Sequence, residues 1–182
     1  MQFLWKTPNT LPSARTVGRI VDAKAALAQK QIGRVLKDKE DTTLYTDETR
    51  KYRKSIQTYI IADEDQTSYM LALREMFNKS GSNILETFKE IIGDVRVHCY
   101  QKDRSNEMDI GYQILADIRD TMSDRASSEK NFNRLLSAYR EEVLPKIIDE
   151  WQQLETGEKR PCTKINNFFC GLHLLVSMVD SC

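Results

Sequence analysis

Between Arg15 and Asp38 the apolar residues Val17, Ile20, Val21, Ala25, Leu27, Ala28, Ile32 and Leu36 recur at three- and four-residue steps. That spacing predicts an amphipathic helix over 15–38, weakened near its end by Gly33. Residues 1–14 hold Pro8 and Pro12 and no periodicity, so they read as a disordered tail. After Glu40 the period changes. Thr43-Leu44-Tyr45-Thr46 is rich in strand formers and runs into Asp47, Ser55 to Ala62 alternates, and Thr67 to Met76 alternates again beyond a polar turn at Asp63–Gln66. These runs predict three short strands in an antiparallel meander. The third also suits a helix through Met70, Leu71, Ala72 and Leu73, but the neighbouring turn signals favour a strand.

From Ser82 onwards the pattern is mostly helical. Asn83 with Glu86 three positions later has capping-box spacing, and Ile84, Leu85, Phe88, Ile91, Ile92 and Val95 form one apolar face. Val95 to Tyr100 is compatible with a further strand. Met108, Ile110, Ile114, Leu115 and Ile118 predict another helix, ending before Thr121. Phe132, Leu135, Leu136, Tyr139, Val143 and Leu144 predict a longer one, interrupted or kinked near Pro145, with its face continued by Ile147, Ile148, Trp151 and Leu154. A final helix is expected from about Thr163 to the C-terminus. The whole reads as an α/β chain: tail 1–14, helix 15–38, and a core over 40–182 in which the meander is extended by further strands and packed by several helices.

Composition changes this picture little. The 182 residues are 40% hydrophobic, enough for a core, and carry 27 basic and 27 acidic side chains. No bulk field draws the chain to nucleic acid, so DNA binding needs local clustering of cations. The most apolar stretch, Phe168 to Val179, falls short of the ~20 residues that cross a bilayer. No membrane span or signal-peptide layout is expected. Four irregularly spaced cysteines beside ample core material suit a reduced, intracellular compartment.

Three places carry candidate chemistry. Asp47 sits where a strand ends, and rigid backbone on both sides can aim such an acid at a metal; two-metal phosphoryl chemistry needs acids around ions ~4 Å apart. Asp47, Glu48 and the run Arg50-Lys51-Tyr52-Arg53-Lys54 also make an ordinary polar hairpin. Asp124, in Ser123-Asp124-Arg125, stands where a short strand would feed a helix, a frequent place for a catalytic acid. A helix cap by Ser123 or Asp124 is the plainer reading. Cys170 and His173, three apart, would share a helix face. Zinc ligation would need Cys162 and Cys182 as well, in a spacing that matches no common zinc pattern. There is no glycine-rich phosphate loop, nucleophile elbow or dinucleotide fingerprint, and no small-molecule cofactor is expected.

The order of these pieces resembles the catalytic core of eukaryotic cut-and-paste transposases, including the hAT group. In sequence they are a strand with Asp47, two further strands, helices, Asp124 leading into a helix, and then Cys170-Gly171-Leu172-His173. The phrase Asn166 to His173 (NNFFCGLH) also looks like transposon-derived proteins of invertebrate genomes. The resemblance spans about residues 40–182. It implies a ribonuclease H-like fold, metal-dependent DNA cleavage and strand transfer with Mg2+ or Mn2+, and a nuclear location. Asp47 would be the first metal-binding acid and Asp124 the second, with Asp103 as a rival. Cys170 and His173 would match the family's Cys-x-x-His motif.

The family's third acid follows that motif, but here only nine residues follow His173, and Asp180 is too close. The resemblance therefore implies an incomplete core, catalytically inactive alone, with a missing C-terminal segment or another copy as possible partner. The competing expectation is a non-enzymatic helical interaction domain presenting Phe168, Phe169, Leu172 and Val176.

Overall fold

The computed structural model describes residues 12–99, 109–148 and 151–171. Ser13 opens the first helix, its Oγ accepting from the Thr16 N–H, and α1 runs over Ala14–Leu36. Three strands follow, β1 Thr42–Lys51, β2 Lys54–Ala62 and β3 Ser68–Met76. They pair antiparallel in sequence order, the meander expected from the alternation. Then come α2 Gly81–Cys99, α3 Ile110–Asp117, β4 Ile118–Ser123, α4 Ser127–Val143, α5 Thr156–Thr163 and β5 Asn166–Phe169. Pro145 lies in a single 3-10 turn, Leu144–Lys146, so the long helical pattern breaks where proline forbids its continuation.

The five strands form one mixed sheet in the order β3-β2-β1-β4-β5, with β4 parallel to β1 and β5 parallel to β4. Alternation assigns each strand's faces. Leu44, Tyr59, Ile61 and Ala72 point to one side and are buried with α2 residues Phe88 and Ile91, α3 residue Leu115 and α4 residues Phe132 and Leu136. The opposite side carries a cross-strand row of Met70, Ile60, Tyr45, Met122 and Phe168, in which Tyr45, Met70 and Phe168 are exposed. Among the described residues no helix is long and apolar enough to cross a membrane.

Several local expectations change. In α1, Val17, Ile20, Val21 and Leu27 are exposed, and only the last turns pack, with Gly33 pressed against Val95 and Cys99. The cap of α2 is Ser80, whose Oγ accepts from the Asn83 N–H at 3.2 Å, so Asn83 is already helical. Val95 to Cys99 continues α2 rather than forming a strand, because Val95 and Cys99 stay in phase with Phe88 and Ile92; Tyr100 lies outside the described residues. Ile118 ends the expected helix and begins β4, where partners on both sides satisfy its backbone. The expected final helix from Thr163 is, as far as Phe169, the end of α5 followed by β5, and its continuation over 172–182 lies outside the described residues. Residues 1–11, Asp103, His173, Val176, Asp180 and Cys182 lie outside the described residues.

Candidate functional site

Asp47 stands inside β1 rather than at a strand end, because the pairing with β2 runs on to Lys51; it lies opposite Thr58, exposed, on the face away from the helices. Asp124 follows the last residue of β4. Tyr45 pairs with Met122, and Met122 with Phe168. Two residues further along these parallel strands, Asp47, Asp124 and Cys170 come to one level of β1, β4 and β5, whose spacing is ~4.8 Å per strand. The Cys170 N–H donates to the Ser123 carbonyl at 2.9 Å, carrying the ladder past the end of β5. Cys170 therefore lies at a strand end and not on a helix face shared with His173.

The polypeptide turns sharply after Asp124, and its Oδ1 accepts from the Ala126 N–H at 2.9 Å. This local turn leads into α4, whose N-cap residue, Ala126, has no side-chain cap. Part of the capping expectation for Asp124 is thus met, while its Oδ2 makes no hydrogen bond among the described residues. Ser123 uses its hydroxyl on the Asp124 carbonyl, at 3.1 Å.

A third carboxylate, not singled out by the motifs, lies in the first turn of α4. Glu129 is buried under the sheet, where its oxygens accept from the Thr46 hydroxyl at 2.7 Å and the Gln57 amide at 3.0 Å. Burial pushes its carboxyl above the ordinary carboxylate range, opposed by those two hydrogen bonds and reinforced by the charges of Asp124 and Asp47. Its sequence signal is positional, for Glu129 falls in phase with Phe132, Leu136 and Val143 on the buried face of α4. A charged residue in the apolar stripe marks a buried polar contact.

This arrangement fixes a pH dependence. A folded-state pKa raised above the unfolded value means that the folded chain holds the proton more tightly. The associated stability is present below about 4.5, the unfolded value, and is lost as pH rises through the folded value. Glu129→Gln keeps an acceptor for Thr46, and the Gln57 amide can turn to meet it. The melting temperature of the variant relative to the parent is therefore expected to rise between pH 4 and pH 7. A difference that stays flat over that range would contradict it.

Among the described residues no three His, Cys, Asp or Glu side chains converge closely enough to hold a metal ion. Asp47 and the outer oxygen of Asp124 have no hydrogen-bond partner among the described residues, whereas Glu129 is occupied by Thr46 and Gln57. Hard carboxylate oxygens of this kind suit magnesium or manganese. Zinc ligation by Cys162, Cys170, His173 and Cys182 involves two residues outside the described ones.

Two cavities, of about 210 and 520 Å3, open instead around the start of β4, the first lined by Asp117, Arg119 and Arg140 and the second by Asp41, Arg119 and Asp120. Burial raises the Asp117 carboxyl to about 6 there. The buried Arg140 donates to the Ala116 and Lys164 carbonyls, tying α4 to the segment before β5. These cavities lie at the opposite end of β4 from Asp124. Asp47 and Asp124 stand at the same level of neighbouring strands, on backbone held by the sheet ladder.

No protein-family model matches this sequence, and no curated protein matches it.

Proposed function

We propose that this chain is a ribonuclease H-like module of transposon descent, in which Asp47 and Asp124 hold one divalent cation at the phosphodiester backbone of DNA. The observation that carries this reading is the position of the two acids. Asp47 stands within β1, four residues before its end, and Asp124 just past the end of β4, on neighbouring parallel strands in a sheet of order β3-β2-β1-β4-β5. The chain leaves β1 towards β2 on one side and returns to β4 on the other, so the two acids flank the groove between β1 and β4 where β4 ends.

Magnesium or manganese at this place would neutralise charge on a phosphoryl oxygen. Asp47, exposed on a strand, supplies one fixed carboxylate, and the turn at Asp124 fixes the other. Two divalent ions would bring four positive charges, more than two carboxylates hold with defined geometry. The module therefore does not cut DNA by itself, and its action in the nucleus requires a further acid from another segment or another copy.

Titration with Mn2+ followed by its electron spin resonance tests the site. The chain is expected to bind one ion, and Asp47→Asn to weaken binding at least tenfold, since loss of mere outer partners of a metal site already costs 10–100-fold. No bound ion, or one indifferent to Asp47 and Asp124, would remove the reading. With Mg2+ or Mn2+ the chain should leave supercoiled plasmid intact. Metal-dependent nicking lost in the Asp47→Ala, Asp124→Ala double variant would overturn the incompleteness.

A second reading, a non-enzymatic interaction domain, draws on the exposed apolar residues Val17, Ile20, Val21 and Leu27 along α1 and on Phe168, which is 49% exposed on β5. It predicts self-association or partner capture unaffected by Asp47→Asn.

A further inference from the structure

The run Arg50-Lys51-Tyr52-Arg53-Lys54 forms the tip of the β1–β2 hairpin, with Lys51 paired to Lys54 and Tyr52 and Arg53 as the two-residue turn. Two features of this tip work against its own folding. Like charges stand directly opposite one another in the closing pair. Both turn residues have positive φ, 52° and 63°, a backbone that favours glycine or asparagine and that tyrosine and arginine rarely adopt. Tyr52 is 85% exposed, with the Lys51 ammonium 5.4 Å from its ring centre. Phe77, just past the end of β3, is 95% exposed. Lys54 is paired with Glu75 at 2.7 Å, whereas Arg50, Lys51 and Arg53 form no ion pair among the described residues. A chain with no net charge has gathered four cations into five residues around an exposed aromatic ring.

The tip is aligned with the acids. On the face that carries Asp47, the next cross-strand pairs are Thr49 with Ile56 and then Lys51 with Lys54. Four residues at ~3.3 Å each put the paired lysines about 13 Å along the strand from Asp47. β4 stops level with Thr46 by its register, so the hairpin projects beyond it and leaves this stretch open.

We propose that the β1–β2 tip is a grip for a single nucleic-acid strand: Lys51 and Arg53 hold its phosphates, a base stacks on Tyr52, and the strand is led along β1 towards Asp47. The choice of partner rests on the reading of Asp47 and Asp124 given above. Cations interleaved with an exposed aromatic are what sequence-tolerant strand binding needs, because every base offers a face for stacking. An anionic membrane surface would use the same cations and also take the Tyr52 ring at headgroup level, but only a strand makes use of the tip's alignment with Asp47.

The test uses the full chain and a fluorescein-labelled mixed-sequence single-stranded DNA of 20 nucleotides, read by anisotropy over a range of salt. The chain should bind at low salt, and Lys51→Glu with Arg53→Glu should weaken binding at least tenfold. Lys51→Gln should lower the slope of log K against log salt by about 0.7, the value for one phosphate contact on a single strand. Tyr52→Ala should weaken binding by roughly tenfold at constant salt slope. Absence of binding, binding indifferent to the hairpin variants, or vesicles of anionic lipid competing as well as unlabelled DNA would each overturn the grip. The Mn2+ titration of the same variants separates the two ideas: hairpin variants should still bind the ion, and a chain that grips DNA without binding manganese loses only the acid site.

Discussion

Replacing Phe132 by alanine is expected to remove about 3–5 kcal/mol of stability, the range for truncating a buried aromatic side chain. Phe132 is fully buried, and its ring meets Phe88 edge-on with centroids 6.3 Å apart. Phe88 lies 6.0 Å from the ring of Tyr59, whose hydroxyl donates to the Ile84 carbonyl at 3.0 Å. This line of rings joins α4 through α2 to β2, so no flexible neighbour stands ready to fill the hole that alanine leaves. Domains of this kind are stable by only ~5–15 kcal/mol, and the variant would keep a fraction of that. Urea unfolding followed by far-ultraviolet circular dichroism measures it. Leu27→Ala, at a position 56% exposed, is the comparison and should shift the midpoint little. A loss below about 1 kcal/mol for Phe132→Ala, a surface-like value, would show that the rings do not carry the core. One turn before Phe132 on the same helix stands Glu129, so the anchor also sets how α4 meets the acidic strand ends.

The meander was legible in the sequence because each of its strands buries one face, and burial of one face writes alternation into the residues. β4 was only half legible. Its covered positions include Thr121 and Ser123, small polar residues that give no apolar signal, and its strand character comes from pairing on both sides. β5 has four residues, Asn166 to Phe169, too few to show a period. Asp124 could be picked out as an acid at a strand end, whereas Asp47, read the same way, lies inside a strand that the basic run at 50–54 extends. Their alignment depends on the parallel register of β1 with β4, set by contacts far apart in the chain, and nothing local encodes it. Glu129 was passed over because its neighbours read as an ordinary amphipathic helix. The basic run at 50–54 was visible as composition, but its meaning changed once Lys51 was found opposite Lys54 and both turn residues at positive φ. Conflict between local preference and observed geometry is the signal there, and local preference alone cannot supply it.

Two glycines in helices should respond to alanine with opposite signs, and the larger effect belongs to Gly81. A methyl group on Gly81 would come within 2.7 Å of both the Phe132 nitrogen and the Ser128 carbonyl oxygen, and within 2.9 Å of the Asn131 Cβ. The first two are backbone atoms of α4, which have no rotamer to escape into, so α2 and α4 must move apart. Overpacking of this kind costs about 1–3 kcal/mol. Gly18, exposed within α1, has nothing within 4 Å of its added methyl. There alanine only removes the conformational freedom of an unfolded glycine and should stabilise by about 0.5–1 kcal/mol. Melting temperatures of the two single variants measure the contrast, and a Gly81→Ala protein as stable as its parent would refute the close approach of the helices. The displacement has a second consequence, because Ser128 lies between Asp124 and Phe132 at the start of α4. Pushing that turn outwards moves the loop that fixes the Asp124 carboxylate, so if the proposed cation site holds, Gly81→Ala should also weaken manganese binding, while Gly18→Ala, in open space on α1, leaves it unaltered.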